Sequence, residues 1–413
     1  MTNVTPRRLR LLYLCNIFPP GWGGRKEVPV HGYHSDAILW QRVSQLAGLS
    51  TVGTLYGTLW KQRHEPRDGH SPGLEHELLL WDRNPALWHR WISWRKLRRY
   101  YLEKIQRGEM PDAIVVLNLQ PVYNYFVKWL RRQPRRPLIV LFLGDSGGLG
   151  EKIPPLRRFR YRFKPMQMLE AESVLLYDAA LVSAMGAKQY FEPRGVPWLW
   201  FPACYKFEYQ PPPPSLNQNG PIRFGYFGAL GNSYASTTLV RAFLNAGVPG
   251  SLHICGGGAV SDELKQLAGR HQNFHFDGFL PRASDCLDWA QKLDVLINPR
   301  ITGQGQDNSF PSKILEYGVA GKAILSTRVG GVDEVLGEEG IYFDPENFEA
   351  SLRQKIREIS GMDRSELQRR AGIIRERIVR EFSPDKQARR ILAFLDGLVK
   401  SRPPSGAPER PPV

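Results

Sequence analysis

The chain has 413 residues, 42% of them hydrophobic, 11% aromatic and 23% charged, proportions that exclude an intrinsically disordered protein and, at this length, point to two domains. The 56 Lys and Arg against 40 Asp and Glu leave a net charge of +16, which requires an anionic partner but does not choose among nucleic acid, acidic lipid and a phosphorylated substrate. Cys15, Cys204, Cys255 and Cys286 are far apart with no paired spacing, which argues against a disulfide or zinc framework and for a reducing cytoplasm.

Arg7–Leu14 superficially resembles a signal peptide, but its apolar part is short and Asn16 follows. Leu9–Ile17 therefore reads as a first buried strand, Asp36–Leu46 as a helix and Leu49–Leu55 as a strand. No apolar run approaches the ~20 residues that span a bilayer. Asn84 and Pro85 supply a cap and first residue for a helix running to Gly108. At helical spacing Leu87, Trp91, Trp94, Tyr101, Leu102 and Ile105 fall on one arc, with Arg90, Lys96, Arg99, Lys104 and Arg107 elsewhere and Glu103 the single acid. Such a basic amphipathic helix suits an anionic membrane surface, with Trp88, Trp91, Trp94, Arg95 and Arg98 as contact residues. The competing reading packs the aromatic arc on a core and leaves the basic side solvated. Arg157–Lys164, another basic and aromatic run, adds to the membrane reading.

Ala113–Leu119 and Leu138–Leu143 read as strands with a helix over Tyr123–Arg132 between them. Apolar strands alternating with helices indicate a parallel sheet covered on both faces. Tyr209–Pro221 breaks the pattern with four consecutive prolines and forms a semi-rigid linker. Beyond it the alternation restarts, with strands over Ile222–Phe227, Ser251–Cys255, Phe274–Phe276, Val295–Ile297 and Ala323–Thr327. The intervening helices are Thr237–Asn245, Ser261–Ala268, Ala283–Leu293 and Pro311–Val319. A helical region follows Arg364 and ends near Lys400, and Ser401–Val413 is a Pro-rich tail expected to be disordered. Two Rossmann-like halves joined by a linker form a cleft lined by the carboxyl ends of the second half's strands.

The most informative stretch is Asn298–Lys322. Asn-Pro-Arg leaves a buried strand, a Gly/Gln-rich loop follows, and Asn-Ser-Phe-Pro-Ser-Lys-Ile-Leu-Glu-Tyr enters a helix. Such a junction aims backbone N–H groups and a positive helix end at an anion. Arg300 and Lys313 add charges suited to a phosphate, and Glu316 an acceptor for a sugar hydroxyl. The bland alternative leaves Lys313 solvated and Glu316 paired with Lys313 or Lys322.

With this string the chain resembles GT-B glycosyltransferases, in particular the retaining family 4 (group 1) enzymes of bacterial polysaccharide and glycolipid synthesis, and a sub-group with Asn-Pro-Arg followed by Phe-Pro-Ser-Lys. The resemblance is best over Ile222–Asp344 and looser over Phe18–Gly24. It implies an α/β fold of two Rossmann-like domains with parallel sheets facing each other across a cleft. It assigns 1–208 to the acceptor side, 209–221 to the linker, 222–382 to nucleotide-sugar binding, 383–400 to a C-terminal helix and 401–413 to the tail. The family's Glu-x7-Glu signature places its second glutamate at Glu316, on the donor ribose, and its first at Asn308, a departure. The family's arginine and lysine on the diphosphate correspond here to Ala229 and Tyr234. Because a diphosphate leaving group needs cationic help, Arg300 and Lys313 are expected to replace them.

The resemblance also implies donor contacts from Gly23, Gly24, Gly228, Gly257, Phe279, Leu280, Ser309, Phe310 and Ser312. It puts Asp145 where the family often has an acceptor-side histidine; its structural rival is a glycine-rich turn. His31 and His34 lack a third ligand and no Asp-x-Asp occurs, so no metal site is expected. The expected donor is UDP- or GDP-linked, with no cofactor. The expected acceptor is a glycan or lipid-linked molecule, and the protein is expected in the cytoplasm on the inner face of the cell membrane, without nucleic acid as a partner. Competing readings are a degenerate GT-B partner or scaffold of a glycosyltransferase system, a GT-B epimerase, and a nucleic-acid binder for which no recognition motif is present.

Overall fold

The computed structural model describes residues 8–15, 31–56, 76–82, 87–118, 121–144, 171–205, 220–231, 235–280, 283–302 and 309–402. They form two compact units, residues 1–201 with 384–413, and residues 202–383.

The first unit is built on seven parallel strands in the order β3-β2-β1-β4-β5-β6-β7. In chain order these are β1 (Arg10–Cys15), β2 (Gly48–Tyr56), β3 (Leu78–Asp82), β4 (Ala113–Leu117), β5 (Leu138–Leu143), β6 (Ala179–Val182) and β7 (Trp198–Trp200). The central strands β4 and β5 are buried at every position, as expected of a sheet covered by helices on both faces. Helix α1 (His31–Leu46) turns Leu39, Trp40 and Val43 inward, and the Trp40 ring stacks on Tyr13 of β1 at 3.9 Å. Helix α2 (Leu87–Gln106) and helix α3 (Pro121–Leu130) cover the other part of the core, where Tyr101 meets Phe126 edge-on at 5.5 Å. A four-residue helix, α4 (Lys188–Phe191), precedes β7.

The second unit has six parallel strands, β8 (Arg223–Leu230), β9 (Ser251–Gly258), β10 (Phe274–Gly278), β11 (Val295–Asn298), β12 (Ala323–Ser326) and β13 (Ile341–Tyr342). Their order, β10-β9-β8-β11-β12-β13, is the doubly wound Rossmann order with its switch between β8 and β11. The helices between them are α5 (Ser236–Ala246), α6 (Ser261–Ala268), α7 (Ala283–Gln291), α8 (Lys313–Val319) and α9 (Val332–Leu336). Helix α10 (Phe348–Ser360) packs on α5, and its Arg357 donates to the carbonyls of Ala246 and Asn245 at 2.9 and 3.1 Å, closing the end of α5. Helix α11 (Arg364–Glu381) packs on α8.

The final helix, α12 (Pro384–Ser401), does not stand apart as the sequence reading had it but belongs to the first unit. It packs on α1, with an Arg42–Asp385 ion pair at 3.3 Å. Beyond it Arg402 reaches Asp178 at 3.1 Å, a carboxylate that also holds Arg131 at 2.8 Å and Arg136 at 2.6 Å. Pro384 at the helix start separates α12 from α11. The 209–221 linker lies, apart from its last two residues, outside the described residues, as does 403–413. Among the described residues no helix is long and apolar enough to cross a membrane.

At the amino ends of β8, β11 and β12 the second unit buries a charged cluster. Asp294, fully buried, accepts the Arg223 amide at 2.8 Å and faces Arg364 at 3.4 Å. Lys322 is also fully buried and donates to the Gln291 carbonyl at 3.0 Å. Burial, reinforced by Arg223 and opposed by Asp294, pushes the Lys322 ammonium down to about 8. Above that pH the folded chain has released a proton that the unfolded chain keeps to near 10.4, so stability rises with pH in this window. The denaturation midpoint of the wild-type protein should therefore climb between pH 8 and 10 more than that of Lys322→Met, measured by urea titration at each pH.

Candidate functional site

Every strand of a parallel sheet ends on the same edge, and in the second unit that edge carries the residues singled out in the sequence. Helix α8 is positioned first. The buried Tyr317 hydroxyl stands 3.3 Å from the carbonyls of both Phe227 and Ile297, its one proton shared between them, and so ties α8 to the central strands β8 and β11. Its ring packs edge-on against Phe227 at 4.9 Å. Burial holds the Tyr317 phenol well above the usual range, so it stays a donor. Lys313 lies one helical turn earlier on the same face and is thereby aimed at the end of β8.

There Lys313 Nζ donates to the hydroxyl of buried Tyr226 at 2.9 Å and stands 4.3 Å from its ring centroid. The Tyr226 hydroxyl in turn donates to the Ala229 carbonyl at 2.7 Å. Gly228, between them, has φ +149°, and a Cβ there would overlap the Lys313 ammonium. The cation thus comes to rest beside Ala229, the position where the resembling family has its arginine. Tyr226 had no part in the sequence reading. Its burial and its spacing of two from Gly228 along β8 were the available signal, but only the folded sheet shows that Lys313 meets it.

Arg300 leaves the end of β11 with its amide on the Asn298 carbonyl at 3.0 Å, and its own carbonyl accepts from Thr327 Oγ1 at 2.8 Å. Its buried guanidinium donates to Ser309 Oγ, fastening the segment that leads into α8. Phe310 in that segment is buried, whereas Ser309 and Ser312 are half-buried. Ser312 makes no side-chain cap, and the amides of Ile314 and Leu315 already bond the carbonyls of Pro311 and Ser312 at 2.9 and 3.0 Å. The helix end therefore offers an anion less backbone than the sequence suggested, and the cationic side chains carry more of the charge. Glu316 is buried on α8. Lys313 reaches Tyr226, and Lys322 reaches the Gln291 carbonyl.

The strand expected over Ser251–Cys255 runs on through three glycines. Gly256, Gly257 and Gly258 do not follow the strand but end it, paired in register with Gly228, Ala229 and Leu230. A Cβ at Gly256, whose φ is +153°, would overlap the Gly228 carbonyl oxygen. Close backbone packing of β8 on β9 accounts for the glycine there. Gly257 is exposed and lies in contact range of Phe279, itself 56% exposed. Leu280 follows, its amide donating to the Cys255 sulfur.

Two cysteines that are distant in sequence meet below this edge, where the Cys286 thiol bonds the Cys255 sulfur. That contact keeps the Cys286 proton held up, with burial and the nearby Glu316 carboxylate adding to the effect. All four cysteines are free thiols. Gly23, Gly24, Asp145, Tyr234 and Asn308 lie outside the described residues. A depression of about 240 Å³ in the first unit, lined by Arg10, Ser50, Lys104 and Glu109 among others, opens at the amino ends of β1 and β2 and not at the carboxyl edge. Among the described residues no cluster of three His, Cys, Asp or Glu is arranged to hold a metal.

Comparison with known proteins agrees with this geometry. Residues 221–361 match the family model described as glycosyl transferases group 1. That match lies within the second unit. No curated protein matches the chain. Among solved structures, the lipopolysaccharide outer core galactosyltransferase WaaB in its apo form superposes with TM-score 0.63 at 14% identity, over 94% of this chain and all of that one. Anabaena Alr3699/HepE, in complex with UDP, gives 0.62 at 14% identity, over 94% and 100%. A trehalose-6-phosphate structure from E. coli bound with UDP-2-fluoro glucose gives 0.61 at 12% identity, over 94% and 98%. At these identities the likeness shows the fold, which is GT-B: two Rossmann-like parallel α/β units in one chain.

The β8–β9 edge provides a direct test of this construction. Gly256→Ala should lower stability by roughly 1–3 kcal/mol, read by chemical denaturation with an unchanged m-value.

Proposed function

We propose that the protein is a retaining, metal-independent glycosyltransferase that moves a sugar from a nucleotide diphosphate to a glycan or lipid-linked acceptor in polysaccharide or glycolipid synthesis. The observation that carries this reading is the Lys313 ammonium, delivered by α8 to the end of β8 within a group 1 glycosyltransferase domain. A departing nucleoside diphosphate develops negative charge, and a cation held in place beforehand stabilises it most effectively. Lys313 and Arg300 take that part. Glu316 receives the ribose hydroxyls, Phe279 and Leu280 flank the base, and Gly228 and Gly257 border the donor. Ser309, Phe310 and Ser312 shape the loop around it, with Asn308 toward the donor sugar. Asp145 is assigned to the acceptor side, and Gly23 and Gly24 to the donor. In a retaining transfer the leaving phosphate itself accepts the acceptor's proton, so no separate protein base is required.

In thermal-shift and calorimetric panels UDP or GDP should bind the purified chain, and Lys313→Ala and Arg300→Ala should each weaken that diphosphate about tenfold or more. Binding of neither nucleotide, or wild-type affinity in both variants, would sink the assignment.

The acceptor reading draws on α2. Trp91 is 45% exposed, and Leu102 and Ile105 are 37% exposed on the same side. Arg95 lies over the Trp91 ring at 4.6 Å. The arc drawn from the sequence is divided, because Trp94 and Tyr101 pack on the core while Trp91, Leu102 and Ile105 face outward. Arg98 stands 5.9 Å from the Trp94 ring and 5.2 Å from the Trp129 ring, both packed on the core. The side chain of Trp88 and the whole of 157–164 lie outside the described residues. An outward face of tryptophan, aliphatic side chains and arginine fits an anionic bilayer surface and supports a peripheral position on the cytoplasmic side of the cell membrane.

Vesicles containing phosphatidylglycerol should sediment the wild-type protein, whereas Trp91→Ala combined with Arg95→Glu should remain in the supernatant. Equal sedimentation of both, or a preference for DNA over vesicles at matched salt, would count against this surface.

A further inference from the structure

Tyr226 has a part that no motif assigns. We infer that Tyr226 is a positioning residue for the diphosphate site, holding the Lys313 ammonium over Gly228 before a donor arrives. This rests on the reading of Lys313 as a diphosphate ligand. A lysine ammonium ends a flexible stem with considerable rotamer freedom, and a ligand that must first gather it binds less well. Here three independent features restrict it. The Tyr226 hydroxyl has one proton and donates it to the Ala229 carbonyl at 2.7 Å, so toward Lys313 it can only accept. The ammonium donates to that oxygen at 2.9 Å. The ring face lies 4.3 Å from Nζ and favours a cation there. The third feature is space, since only a residue without a Cβ at position 228 leaves the ammonium room.

The hydroxyl itself is anchored from the far side. Tyr226 is 1% exposed on a central strand, and its hydroxyl is fixed by its bond to the Ala229 carbonyl three residues further along β8. One tyrosine therefore links the strand position where the resembling family supplies a cation to the helix that supplies it here. The role is indirect: Tyr226 touches Lys313, and Lys313 touches the phosphate.

Tyr226→Phe keeps the ring and removes the oxygen. The probes are UDP with uridine, or GDP with guanosine, whichever pair the wild-type chain binds. Calorimetry should show the diphosphate weakened about tenfold and the nucleoside unchanged within about twofold. In a Lys313→Ala background the same substitution should cost nothing further, because the two residues act as one unit. Gly228→Ala, which displaces the ammonium by a different route, should reproduce the diphosphate-selective loss. If Tyr226→Phe fails to fold, Gly228→Ala decides alone.

Lys313→Ala weakening the diphosphate while Tyr226→Phe and Gly228→Ala bind like wild type would overturn the positioning role and leave the proposed function standing. A loss that extends equally to the nucleoside, or that persists undiminished in the Lys313→Ala background, would reduce Tyr226 to a structural residue. Wild-type diphosphate binding by Lys313→Ala would instead fault the reading of Lys313 itself.

Discussion

The arrangement depends on one buried hydroxyl. Tyr317 bonds carbonyls of two neighbouring strands at once, and that fixes both the height and the rotation of α8 on the sheet. Six of the seven residues of α8 are buried, so burial by itself does not single out one face to meet the strands. With Tyr317 fixed, residues at helical spacing have no choice of direction: Lys313 must face β8, while the opposite side of α8 meets α11. Charge reaches the sheet's carboxyl edge because a neutral phenol anchors the helix that carries it.

The backbone at that edge is equally constrained. β8 and β9 continue in register to Leu230 and Gly258, and Gly256 on β9 lies where a side chain would meet the β8 carbonyl. The result is a flat, side-chain-poor surface flanked by Phe279 on one side and the Lys313 ammonium on the other. The opposite edge of the same sheet buries Asp294, which faces Arg223 and Arg364, and Lys322, which donates to the Gln291 carbonyl. One sheet thus keeps its structural charges at the amino ends and its outward-directed cation at the carboxyl ends.

Much of this was legible from residue order. Apolar runs alternating with helical periods identified two parallel sheets, and the Asn298–Lys322 string located the carboxyl edge of the second. Boundaries were less legible. β8 and β9 run three residues beyond where their apolar runs stop, because strand pairing is made by backbone groups and tolerates glycine. β3, β6, β7 and β13 were missed; β6, β7 and β13 have only four, three and two residues, too short to show a period. The α2 arc was read as one surface, yet a helix lying obliquely on a sheet buries Tyr101 and exposes Leu102, its neighbour.

Sequence alone determined that this is a two-unit parallel α/β protein, that Arg300, Lys313 and Glu316 belong to one junction, and that the expected cations at 229 and 234 are absent. Those properties follow from local period, from composition and from the identity of consecutive residues. Only the tertiary structure decided that Lys313 lies beside Ala229, that Tyr226 holds it, that Cys255 meets Cys286, and that the last helix returns to the first unit. Each of those joins residues dozens or hundreds of positions apart, brought together by strand order and helix rotation. Neither is written in any stretch short enough to carry a motif.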